Sequence, residues 1–173
     1  PATGIGTQHG GILVDFNAVK GGIEIIPLDN DWQRAAHVYS DEVLISHRTD
    51  AEKGTPKFER GKSLSDHQQE MIYISGTAAI RGEESIVTGD VLVQTEITLE
   101  NIQHLIGLEE GREKLPEHSG KLELLRVYLK HEEDAKIVKE DMDKLCPDVP
   151  IVYLYADVCR EELLVEIEGI AYL

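Results

Sequence analysis

The stretch YLYADVCREELLVEIEGIAYL, Tyr153 to Leu173, closes the chain and holds its densest set of reactive side chains. Cys159 is followed by two acids spaced two apart, Glu166 and Glu168. A thiol can be a nucleophile, although a lone cysteine more often serves as a small core residue. A carboxylic acid held among apolar groups keeps its proton near neutral pH and can act as a general acid. Folding the stretch as a hairpin that turns at Cys159–Glu162 sets Tyr155 opposite Glu166. Alternation then gathers Tyr153, Tyr155, Asp157, Leu164, Glu166 and Glu168 on one face. A solvated strand face accounts for the same acids, so these residues alone leave both readings open. Arg60, Arg81, Arg126 and Arg160 are the natural grips for carboxylates, because a guanidinium presents a planar fork of donors.

Other chemistries find less support. The seven histidines are scattered, and no HxxxH or CxxC spacing occurs, so no metal site is expected. TGIGTQ (Thr3–Gln8) and the glycine pairs resemble a phosphate cradle, but no helix follows them. A turn or extended arm is expected there, and no cofactor.

The elements that must position these residues follow from periodicity. GGILVDFNAV (Gly10–Val19) and GGIEIIPL (Gly21–Leu28) read as a hairpin around Lys20-Gly21-Gly22. The polar HRTDAEKGTPKFERGKS (His47–Ser63) reads as a loop. Glu70–Ile80 reads as a strand. Asp90–Leu105 reads as a helix capped by Asp90, with Val91, Thr95, Leu99, Ile102 and Ile106 on one side. Lys121–Lys130 is a strand. Glu132–Leu145 is a second helix, with Ala135, Val138, Met142 and Leu145 on its stripe and Pro147 as its stop. The order is β-β-β-α-β-α-β-β, which fits an α+β fold with a mixed sheet and helices on one face. The expected organisation is one domain: residues 1–69 as an extension with a hairpin and a loop, packed on a core of residues 70–173.

Composition narrows the partners. A net charge of -16 argues against nucleic acid and anionic membrane surfaces. It leaves room for a small anion held by a few convergent arginines. No apolar run approaches a membrane span. Two cysteines make no disulfide framework and fit a reducing, cytoplasmic setting. The chain opens on Pro1 and not on Met, which implies trimming or processing.

YISGTAAIRGEESIVTGDVLVQTEITLENIQHLI resembles the middle of the Rid (YjgF) superfamily. The residues that carry the likeness are Ser75, Gly76, Gly89, Asp90, Gln94, Thr95, Leu99, Asn101 and Ile102, and VEIEGIA (Val165–Ala171) resembles the closing strand. A second set is similar to the chorismatase branch, specifically its C-terminal half: GIGTQ (Gly4–Gln8), TPKFERG (Thr55–Gly61), SGTAAIRG (Ser75–Gly82) and ADVCREELLVEIEG (Ala156–Gly169). Full-length enzymes of that branch carry a further N-terminal domain of related fold. The resemblance implies a Rid/chorismate-mutase-like mixed sheet with two helices packed on one face, in a homo-oligomer of the trimeric kind. It implies an enzyme acting on chorismate or a related cyclic acid, with hydrolase-like and lyase-like outcomes in the branch.

By the same resemblance Glu166 is catalytic, Cys159 lines the pocket and Ala78 sits at its ring end. Arg60, then Arg160 and Arg126, would hold the substrate carboxylates, and Tyr155 and Leu164 would wall Glu166. Glu168 receives no role. Imine-hydrolysing Rid proteins grip their substrate with an arginine early in the penultimate strand, a position that falls on Ile151 here. An isoleucine cannot hold a carboxylate, which counts against an imine or enamine hydrolase. A small-molecule-binding module without turnover is the remaining alternative.

Overall fold

A computed structural model describes residues 1–6, 14–44, 54–66, 68–107 and 121–173. Its strands are β1 (Glu24–Leu28), β2 (Gly61–Ser65), β3 (Glu70–Thr77), the short β4 (Ile80–Arg81) and β5 (Glu84–Ser85), β6 (Lys121–Leu129), β7 (Ile151–Tyr155) and β8 (Val165–Tyr172). Its helices are α1 (Val91–Leu105) and α2 (Ala135–Leu145). Six strands form one mixed sheet in the order β1-β2-β3-β8-β6-β7, and β4 pairs with β5 apart from it. All pairs in the large sheet are antiparallel except β6 with β7. Among the described residues no helix is long and apolar enough to cross a membrane.

Alternation builds the core. On β6, Leu125, Val127 and Leu129 are fully buried, and on β8 so are Val165, Ile167 and Ala171. They meet Ile72 and Ile74 of β3, Val91, Leu99 and Ile102 of α1, and Val138 and Met142 of α2. Each fully buried aliphatic side chain of this size contributes roughly 1.5–3 kcal/mol. Asp90 caps α1 as expected, its Oδ1 accepting from Leu92 N at 2.9 Å and Val93 N at 3.3 Å. The α2 stripe ends differently: Leu145 is exposed, and Cys146 at the C-cap is buried in its place.

Three expectations about strands are corrected. Among the described residues no hairpin leads into Glu24–Leu28: residues 14–20 are irregular, and residues 10–13 of the expected hairpin lie outside the described set. Glu24–Leu28 pairs instead with Gly61–Ser65, which the polar sequence had suggested was loop; residues 47–53 of that loop are likewise outside the description. Gly61 suits this strand because a Cβ there would fall 3.1 Å from Leu105 Cδ2, so α1 packs directly on the backbone. The β-β-β opening thus survives with different members, and β1 and β2 continue the sheet across residue 70.

The closing stretch is not a hairpin either. β6 stands between β7 and β8, because its apolar side is wholly buried and needs a neighbour on both edges. The connection of residues 156–164 is too long for a tight hairpin turn and instead steps across the end of β6. Glu166 therefore lies opposite Tyr128, while Tyr155 pairs with Leu129.

Candidate active site

Glu166 follows Val165 on β8, so alternation turns it to the face away from the helices. It is nevertheless only 6% exposed. The cover comes from an irregularity in β3. Between Ile74 and Thr77 the register against β8 shifts by one residue, and Ser75-Gly76 is released from the β8 ladder. Ser75 N instead donates to Arg60 O at 3.0 Å, and Gly76 N donates to Thr3 Oγ1 at 2.8 Å. The carboxyl of Glu166 lies on the bare backbone of Gly76, where any Cβ would overlap its Oε1 and crowd Thr3. The SG signature is thus the place where a carboxyl can lie flat on a strand.

The amino-terminal arm closes the other side. Gly6 bridges to Asp157, and the Cys159 thiol donates to Gly4 O at 3.2 Å. Thr3 also donates to Glu168. Glu168 accepts from Arg126 Nη1 and from the Tyr128 hydroxyl, each at 2.7 Å. Burial works against its charge, but the bonds from Thr3, Arg126 and Tyr128 hold its carboxyl below the ordinary range. Glu166 has no hydrogen bond or ion pair among the described residues. Burial, and then the charge of Glu168, push it up to about 7. Two carboxyls two residues apart are thereby pushed in opposite directions, the pattern that separates acid from base in active sites. The Cys159 thiol is raised by burial first and by the nearby Glu166 second, although the residue as a whole is exposed. It is a poor nucleophile here.

Helix α1 anchors both loops of this site through buried amides. Gln94 donates to Glu162 O at 3.0 Å and accepts from Leu164 N at 2.8 Å, which fixes the segment between Cys159 and Glu166. Asn101 donates to Ala78 O at 3.0 Å and to Ile80 O at 3.1 Å. Ala78 is buried and packs with Ala79, Ile80, Val158 and Leu163.

The arginines divide. Arg60 is 3% exposed; its Nη2 donates to Arg34 O at 2.6 Å and to the Tyr39 hydroxyl, and its Nε is buried without a partner. Arg160 Nη1 donates to Glu83 O and Ser85 Oγ, both at 2.9 Å. Neither makes an ion pair among the described residues. Arg126 is committed to Glu168, and Arg81 to Glu100 and Asn101 beneath the ring of Trp32. Tyr155 and Leu164 do not wall Glu166: Tyr155 shares its row with Leu129 and Val165, and Leu164 packs against the helix-side core. Tyr128, Thr3 and Gly76 take that place. A cavity of about 280 Å³ is lined by Arg160 together with Glu42, Glu84, Ser85 and Glu162. Tyr39, Tyr128 and the role of Glu168 were missed in the sequence; only the fixed i, i+2 spacing of Glu166 and Glu168 hinted at the last.

No protein-family model matches the chain. It is 34% identical over 177 residues to a chorismatase of Streptomyces rapamycinicus, covering 98% of this chain and 50% of that protein. It is 33% identical over 182 residues to a 3-hydroxybenzoate synthase of Streptomyces hygroscopicus, covering 98% of this chain and 49% of that one. The chain thus spans about half the length of the curated relatives it matches. A chorismatase crystal structure superimposes with a TM-score of 0.70 at 29% identity, over 85% of this chain and 43% of the other. The YjgF gene product of E. coli superimposes with a TM-score of 0.56 at 17% identity, over 84% and 97%, and so shares the fold.

Proposed function

The chain is a Rid-fold, chorismatase-like protein, and on that premise we propose that it hydrolyses the enol-pyruvyl ether of chorismate or a related cyclic acid, with Glu166 as general acid. The observation that carries this reading is a carboxyl 6% exposed, without hydrogen bonds among the described residues and pushed up to about 7. An enol ether needs a proton on its methylene carbon, and a donor protonated near neutrality supplies it. That proton turns the methylene into a methyl group and leaves an oxocarbenium centre. Water adds through its oxygen, and its proton returns to the Glu166 carboxylate. The hemiketal hydroxyl then gives up its proton and becomes the keto group, and the bond to the oxygen borne by the ring breaks. That oxygen takes a proton and stays on the ring as a hydroxyl, and pyruvate departs.

Glu168 stays ionised through its three donors and favours the neutral form of Glu166 beside it. In this reading Arg60 and Arg160, which make no ion pair among the described residues, receive the substrate carboxylates; Arg126 serves Glu168 instead. Ala78 and Cys159 border the site in this reading. Ile151, the first residue of β7, is half-buried against the core and offers an imine's carboxylate nothing. Copies of the chain would associate through the sheet face away from the helices, where Ile25, Val152 and Leu154 are more than a third exposed.

The test is pyruvate release from chorismate, followed with a pyruvate-consuming dehydrogenase. Stoichiometric or catalytic pyruvate supports the reading. A second reading rests on the chain spanning half of its relatives: a binding module without turnover. It predicts calorimetric binding of chorismate with no pyruvate.

A further inference from the structure

Two arginines share one aromatic ring. The guanidinium carbon of Arg60 lies 5.6 Å from the centroid of Tyr39, and that of Arg160 lies 5.5 Å from it. The two charges are therefore no more than about 11 Å apart. A cation over an aromatic face is held by the ring quadrupole, more strongly where water is excluded. Arg60 is further fixed by the Tyr39 hydroxyl and by Phe58, whose centroid is 5.4 Å away. Tyr39 itself follows a short 3-10 turn, Ala36–Val38, and its N donates to Ala36 O at 3.4 Å. The next residue is tied down too, Ser40 N donating to Glu83 Oε2 at 2.8 Å. Glu83 also pairs with Arg34 at 3.1 Å, so its charge is spent outside the two arginines.

Two like charges on one ring repel, and a buried guanidinium without a carboxylate is costly. Neither makes an ion pair among the described residues, Arg160 acting only through space on the Glu162 carboxyl, and the Nε of Arg60 is left over as a buried donor. A ligand with two carboxylates supplies what is missing, one for each fork. We propose that Tyr39 is a positioning residue that sets the spacing of Arg60 and Arg160 and thereby makes the site select a dicarboxylate over a monocarboxylate. This rests on the reading that both arginines face the substrate, but not on turnover.

The experiment titrates the intact chain with isophthalate and with benzoate, probes that differ by one carboxylate and cannot release pyruvate. Pyruvate release from chorismate is assayed separately in the same preparations. The second carboxylate is expected to improve wild-type binding by roughly tenfold or more, as a charge-assisted pair does. Tyr39→Ala abolishes that advantage while leaving benzoate within about threefold. Tyr39→Phe keeps the ring and restores most of the advantage, which a merely structural role would not produce. It also stands in should the alanine variant fail to fold. Adding Arg60→Ala to Tyr39→Ala costs no further preference, because the two act as one unit. No preference in the wild type, or an undiminished preference in Tyr39→Ala, overturns the proposal. A preference that follows Tyr39 in a chain that yields no pyruvate upholds it and sinks the hydrolase reading instead.

Discussion

Replacing Glu166 by Gln should stabilise the folded chain, and by an amount that depends on pH. The group's pKa rises from 4.5 unfolded to about 7 folded, through burial and the charge of Glu168. One pKa unit corresponds to about 1.4 kcal/mol, so ionised Glu166 costs the fold at most about 3 kcal/mol. Below pH 4.5 the acid is neutral in both states and costs nothing. Between 4.5 and about 7 the unfolded chain binds fewer protons, so wild-type stability falls as pH rises, and above 7 the full cost is present. Gln is neutral throughout and nearly the same shape. Urea unfolding of the two proteins at pH 4.5, 6, 7.5 and 8.5 isolates the effect, since every other carboxylate is common to both. The variant should match the wild type at pH 4.5 and exceed it by about 3 kcal/mol at pH 8.5. A difference that does not change with pH, or a wild type that is the more stable at pH 8.5, refutes a buried Glu166 that is hard to ionise.

Glu168→Gln removes the neighbouring charge and leaves Arg126 unpaired, and both changes favour ionised Glu166. Its midpoint, read by carboxyl carbon NMR titration, should fall below about 7; an unmoved midpoint contradicts the coupling. Gly76→Ala places a methyl group on Glu166 Oε1 and Thr3, and should cost about 1–3 kcal/mol in unfolding free energy, as overpacking does. No loss of stability would show that the carboxyl does not lie there. Asn101→Ala strips the buried carbonyls of Ala78 and Ile80 of a donor and should cost about 1–3 kcal/mol, against nearly nothing for an exposed residue such as Glu96.

The helices and the order of elements were legible because α1, β6 and α2 write their periods plainly. Asp90 announces its cap, and β6 alternates Leu125, Val127 and Leu129 with Arg126 and Tyr128. The strand partners were not legible. Pairing is decided by burial across the whole sheet, and nothing local in Gly61–Ser65 or in Ile151–Tyr155 says which edge each will meet. That is why Glu166 was matched with Tyr155 when β6 intervenes and brings Tyr128. Glu166 itself was reached by resemblance, since an acid alternating on a strand looks like a solvated face. Its burial arises from a register shift at Ser75-Gly76 and from the Thr3–Gly6 arm, contacts more than 70 residues apart in sequence. Tyr39 gave no signal at all, because a ring between two arginines distant in sequence is visible only in three dimensions.

The most direct test of Glu166 as the proton donor is the pH dependence of pyruvate release from chorismate, measured from pH 5 to 9 for the wild type and Glu166→Gln. The account predicts a wild-type rate that falls as pH rises through about 7, where the donor loses its proton. It predicts a variant slower by roughly 10²–10⁴ at every pH, with no limb near neutrality. Pyruvate released as fast by Glu166→Gln as by the wild type, or a wild-type rate that climbs through pH 7, would contradict it.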